Sequence, residues 1–345
     1  MKTRLFIPLV TLLLFSSCTS MMYTSIDVLR PAKVSFDKNA SSLLIVNNAV
    51  VQPNIVGHRN ELINEKPKNV SVRTDSLAIF CVSVVNEEFL KNDFFPTTQL
   101  VLNSINKTSN FLISSTPQID TLKVLTAQYG ADVVLSLDKI KVTDRIADYY
   151  NEESNSFYAM LEANFESTWS VTYSKNFKSE TYSFKDTIYW DAESYQRKKA
   201  LAGLPDRYNA LIDGALYVGQ HVMKKLVPWW DKEDRYFFVT ENKSLKHGMD
   251  SVFVKNWSAA IKIWEKGVEK ASIGSKAKLL HNISVAYEIE GDINNAILYN
   301  KKSTEVIEST PIVNFEHYFT VNQHGIQLKN RSKEIEEINK QLGVK

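Results

Sequence analysis

Cysteine, glycine and charge of one sign are all scarce in this chain of 345 residues, and each scarcity removes a class of explanation. Only Cys18 and Cys81 occur, so a disulfide framework cannot hold the fold and a hydrophobic core must. The 11 glycines form no phosphate-cradling cluster. Gly214 and Gly219 come nearest, but they lie in a helical pattern with no Lys-Ser/Thr after them. There is no Gly-x-Ser-x-Gly elbow. The six histidines include neither His-x₃-His nor Glu-x-x-His, so no metal and no cofactor is expected. Glu87 and Glu88 are adjacent on a helical stretch and do not face each other, which leaves them a solvated pair. Lys and Arg total 41 against 39 acids, and two of the bases, Lys2 and Arg4, lie in the first few residues. The remainder is neutral and lacks the basic field that nucleic acid demands. After the N-terminal segment no apolar run reaches the length of a membrane span.

The N-terminus carries the sharpest signal. Lys2 and Arg4 precede the apolar run Leu5 to Phe15, then Ser16, Ser17 and Cys18. This is the pattern of a secretory signal, too short to span a bilayer. It resembles a bacterial lipobox, with Phe15 where an aliphatic residue is usual. The resemblance implies a signal peptide over 1–17, acylation (palmitate-type chains) at Cys18 and a lipidated tether over 18–40. The plainer alternative is an ordinary cleaved signal. Thr19 is not Asp, which by the usual lipoprotein sorting rule implies the outer membrane, with the globular part facing the periplasm. Cys81 lies in the apolar run Leu77-Ala-Ile-Phe-Cys-Val and reads as a small buried hydrophobe, not a nucleophile.

The fold class predicted is α+β, an N-terminal α/β domain over 41–235 followed by an all-α region. A strand is expected in 41–51, a polar loop over 52–72, and a helix from Asp75 that Pro96 ends or kinks. A second helix, capped by Ser115 or Thr116, runs to Gly130 and leads into a strand from Ala131. Residues 157–190 alternate strictly and predict a long antiparallel hairpin turning at 174–178. Residues 205–227 return to helix, closed by Pro228-Trp-Trp. This order, and Tyr129-Gly-Ala-Asp-Val-Val in particular, resembles the α/β domain of curli-secretion and related envelope lipoproteins.

Residues 236–310 show a repeat. Ser284, Tyr287, Gly291 and Ala296 have the spacing of two antiparallel helices with small residues where they touch and a glycine between them. Thirty-six residues earlier Ala260 matches Ala296 and Trp257 matches Ile293, but Ser251 and Lys255 replace the expected Tyr and Gly. The pattern resembles tetratricopeptide repeats, which implies interaction with a protein partner. Trp257, Trp264 and Tyr287 read first as core packing, with partner binding as the functional reading. Residues 311–345 supply a polar capping helix.

Four Asp-Ser/Thr-aliphatic triplets place Ser76, Thr121, Thr187 and Ser251 in a pattern that resembles periplasmic O-glycosylation acceptors; chance and helix capping explain it equally. The functional expectation is a non-enzymatic interaction or scaffold lipoprotein of the cell envelope, bound to the membrane by lipid and to an envelope protein by its repeats. The alternatives are a glycan- or small-ligand-binding lipoprotein, with Trp229 and Trp230 stacking a sugar, and an envelope hydrolase with a site between the domains.

Overall fold

The computed structural model describes residues 21–108, 110–240, 242–310 and 314–342. The chain divides into two compact units, Ala32–Trp229 on one hand, Trp230–Lys340 with the segment ending at Pro31 on the other. The fold class is α+β, with a mixed sheet and its helices in the first unit and helices dominating the second.

In the first unit β2 (Ser42–Asn47), α1 (Leu77–Lys91), β5 (Thr97–Val101), α2 (Ile119–Tyr129) and β6 (Val133–Asn151) form two successive β-α-β crossovers. β2 pairs in parallel with both β5 and β6. β3 (His58–Glu61) continues the same edge of β6 beyond β2, and β4 (Lys68–Asn69) pairs with β3. On the other edge β6 pairs antiparallel with β7 (Ser156–Tyr173), and β7 with β8 (Ser179–Ser194). Leu43 and Ile45 of β2 face α1 and α4 (Arg207–Leu226), while Leu44 and Val46 face Leu122 of α2. A strand covered on both faces is continuously apolar, as Leu43 to Val46 are. α3 (Arg197–Gly203) precedes α4. The Asp206 side chain caps α4 by accepting from Asn209 N–H. The two glycines of α4 serve close packing. A Cβ at Gly214 would strike the Phe165 ring, and one at Gly219 would sit 2.8 Å from the Cys81 carbonyl oxygen of α1.

The second unit contains β1 (Met21–Arg30), β9 (Trp229–Phe238), and the helices α5 (Lys243–Phe253), α6 (Trp257–Val268), α7 (Ile273–Ile289), α8 (Ile293–Glu308) and α9 (Phe315–Leu342). β1 and β9 form a two-stranded antiparallel sheet. Arg30 fastens it within the unit by ion pairs to Asp231, Glu233 and Glu334.

Several boundaries differ from those the sequence suggested. Residues 21–30, expected within a tether, are strand, because Tyr23, Ser25 and Asp27 alternate with the less exposed Thr24, Ile26 and Val28. The α/β unit ends at Trp229, so 230–235 group with the helices. The polar segment 52–72 holds β3 and β4, and α1 ends at Lys91, well before Pro96, which precedes β5 instead. Helix α2 starts after Gln118 with no side-chain cap.

Candidate functional site

The turns of the helical hairpins α5–α6 and α7–α8 repeat the same backbone and capping hydrogen bonds at an interval of 36 residues. Gly291 closes α7 at φ 84°, its N–H bonded to Glu288 O and that of Asp292 to Tyr287 O. Lys255 closes α5 at φ 56°, with its N–H on Val252 O and that of Asn256 on Ser251 O. Both are Schellman turns, one without the glycine that such a turn favours. Asn256 then caps α6 through Ala259 N–H, and Asp292 caps α8 through Asn295 N–H.

Small residues set the approach of the paired helices. Ala260 and Ala296 are fully buried, and Ser284 Oγ donates to Ala296 O at 2.6 Å. Gly248 lies so close to the Trp264 indole that any Cβ there would overlap it. Trp264 is fully buried, and its Nε1 donates to Leu245 O at 3.4 Å. Trp257 stacks on Phe237 at 6.2 Å, and Tyr287 packs on Tyr299 at 5.3 Å. Trp257, Ala260, Trp264, Ser284, Tyr287 and Ala296 are thus buried or half-buried where the helices pack, while Gly291 is exposed in the turn between α7 and α8.

Strand β9 lies on α7. Asn282 clamps Phe238, accepting from its N–H and donating to its C=O, each at 2.9 Å. His281 Nε2 meets Tyr236 O at 3.0 Å. Arg235, 1% exposed, makes a bidentate pair with Glu288 at 2.7 and 2.6 Å and also reaches Glu233. Glu288 meets His324 Nε2 of α9 at 2.9 Å. Burial alone would raise the Glu288 carboxyl, but the hydrogen bonds from Arg235 and His324 outweigh it and hold it at about 2. Burial pushes His281 down to about 3, helped by the neighbouring His324, and lowers His324 as well.

Two openings border this core. A cavity of about 480 Å³ lies among β1, β9, α7 and α9. A groove of about 480 Å³ runs over α6, α7 and α8, with Val268, Leu280, Ile283 and Val306 in its apolar part and Glu265, Lys276, Lys302 and Glu305 supplying charges of both signs.

The other expected residues are dispersed. Cys18 lies outside the described residues. Thr187 is exposed on β8, with its hydroxyl on Asn164 Oδ1 at 2.8 Å, while Ser76, Thr121 and Ser251 are half-buried. Trp229 and Trp230 are consecutive on β9 and point to opposite faces, so they do not make one stacking platform. Lys224 Nζ covers the Trp229 ring at 4.9 Å. Cys81 is fully buried, and burial pushes its thiol up to about 12, the reverse of an activated nucleophile.

Buried ionic clusters escaped the sequence reading. Besides Arg235, Glu288 and His324, the first unit buries His58 against Asp144, whose other oxygen takes Arg207 Nε at 2.6 Å. Asp138 is buried at a β-bulge with Ser136 and Asn48 on its Oδ1, and burial raises its carboxyl. None of these partners is close in sequence to form a motif, apart from Ser136. Among the described residues no group of three or more His, Cys, Asp or Glu side chains could hold a metal ion. No helix among them is long and apolar enough to cross a membrane.

Comparison with known proteins gives family and little more. No match is found among curated proteins. One solved structure, of an uncharacterized protein, is 9% identical, with 54% of this chain and 92% of that one covered at a TM-score of 0.24. Another, described as a neuraminyllactose-binding hemagglutinin homologue from Helicobacter pylori, is 11% identical, covering 54% and 86% at a TM-score of 0.27. Residues 246–333 match a domain of unknown function, DUF6340. Residues 40–238, more than half of the chain, match another, DUF8603, and the protein belongs to that family.

Proposed function

We propose that this protein is a lipid-anchored interaction protein of the cell envelope, held at the outer membrane through Cys18 and facing the periplasm, without catalysis of its own. The leader-like segment ending at Cys18 supports the anchor, and the resemblance to envelope lipoproteins agrees with the address. The tetratricopeptide-like reading rests on the 36-residue period of α5–α6 and α7–α8. One observation carries the interaction role. The open groove over α6, α7 and α8 presents aliphatic side chains beside charges of both signs, a surface suited to a short partner segment. The face of α7 that carries His281 and Asn282 already holds β9, so the partner sits on the groove and not there. Modification at Thr187 belongs to the same reading, since an exported chain would expose that hydroxyl.

The test is crosslinked affinity purification from native membranes, with wild type, Cys18→Ala and Val306→Arg compared. A partner recovered with wild type and lost with Val306→Arg supports the groove. Loss with Cys18→Ala supports the anchor. No specific partner with any of the three overturns the reading. Intact mass of the mature protein reads acylation and glycosylation together.

A further inference from the structure

We propose that the cavity among β1, β9, α7 and α9 is a binding site for an uncharged, largely apolar small molecule carrying one N–H or O–H donor. Its volume of about 480 Å³ lies within the range of ligand pockets, and Met21, Tyr236, Val285 and Phe319 give it mainly apolar walls. His281 also lines it and is buried to 1% exposure. Its Nε2 donates to Tyr236 O, which fixes the tautomer and leaves Nδ1 a bare acceptor. That Nδ1 is buried and has no hydrogen-bond partner among the described residues.

An acceptor left unmet inside a protein is destabilising, and a donor on the ligand would satisfy it. The charges nearby argue for a neutral molecule. Arg235 is committed to both oxygens of Glu288 and to Glu233, so its cation is already answered. Glu288 is answered in turn by Arg235 and His324. Glu316 lines the cavity as an exposed residue, and the Lys278 ammonium acts on it. With burial holding the His281 ring neutral down to about 3, the site borders an unmet acceptor, and its one exposed lining charge, Glu316, is offset by Lys278.

The test uses two probes that differ at one N–H, which a methyl group replaces in the second. The full chain is titrated with indole and with N-methylindole, followed by saturation-transfer NMR and calorimetry. Indole is expected to bind one site saturably, and N-methylindole about tenfold more weakly, the effect of one lost hydrogen bond. Val285→Trp fills the cavity and should abolish indole binding. Phe319→Asp, at a half-exposed wall position that leaves the core intact, should weaken it in case Val285→Trp disturbs folding. The proposal is overturned by the absence of saturable indole binding, by equal affinity for the two probes, or by binding that neither variant changes.

Discussion

Lys255 and Gly291 hold the same left-handed turn one repeat apart, at φ 56° and 84°. The backbone demand is identical, but only glycine meets it without strain, since the left-handed region costs other residues about 1 kcal/mol. Lys255→Gly should therefore stabilise the helical unit by about 1 kcal/mol. Gly291→Ala, whose new Cβ would enter open space, should destabilise it by a similar amount through φ alone. Urea unfolding of the two variants beside wild type measures both signs.

The Gly248–Trp264 contact has no slack. Gly248→Ala should cost about 1–3 kcal/mol or more by overpacking. Trp264→Ala should cost about 3–5 kcal/mol by leaving a cavity. Because the two side chains touch, the double variant Gly248→Ala/Trp264→Ala should fall short of the summed losses, and a double-mutant cycle reads that coupling.

Acid should weaken the helical unit well before carboxylates titrate. An unfolded His281 takes a proton near 6.5, whereas the folded ring resists it down to about 3. The unfolded state thus binds more protons in that window, and stability falls as pH falls. Between pH 7 and pH 5 the loss from His281 is about 2 kcal/mol, and His324 adds in the same direction. Glu288 contributes only lower, below about 4.5, where its stabilisation is lost on the way to 2. Thermal unfolding at both pH values should show this drop, and His281→Gln should flatten it.

Arg235 and Glu288 should behave as a buried pair. Arg235→Met leaves the Glu288 carboxylate without its main partner and should cost about 3–5 kcal/mol. Arg235→Met/Glu288→Leu removes both charges and should cost less than the single change. A double variant less stable than Arg235→Met would contradict this account.

Cys81 should stay silent toward a thiol reagent in the folded protein and react fully once denatured. With no exposure and a thiol pushed up to about 12, it offers almost no thiolate at neutral pH. Rapid modification of the native chain would show that α1 opens.

The legible parts of the sequence are those whose signals are local. The alternation from Ala159 to Tyr173 announced β7, and Ser284, Gly291 and Ala296 announced α7 and α8. Lys255 and Ser251 obscured the earlier hairpin, because residue identity departs from the pattern while the backbone keeps it. β1 was hidden for another reason. Its alternation is confined to residues 23–28, polar Thr24 sits on the less exposed side, and its partner strand starts only at Trp229. The Arg235–Glu288–His324 cluster has no local spacing at all, since three separate elements supply it. A search for His-x₃-His could not find histidines 281 and 324.

The pairing of β1 with β9 also imposes an order of events on the growing chain. The whole of Ala32–Trp229 is made after β1 and before most of β9 exists. The first unit can complete its sheet while β1 still waits, because all its strands from β2 to β8 are already available. The helical unit can close only afterwards, when β9 and the helices arrive. Its two ends in sequence are thus joined last, a slow step because a long loop must be closed before its contacts form. A chain interrupted near Trp229 would leave β1 as an unpaired edge strand, open to pairing with another chain.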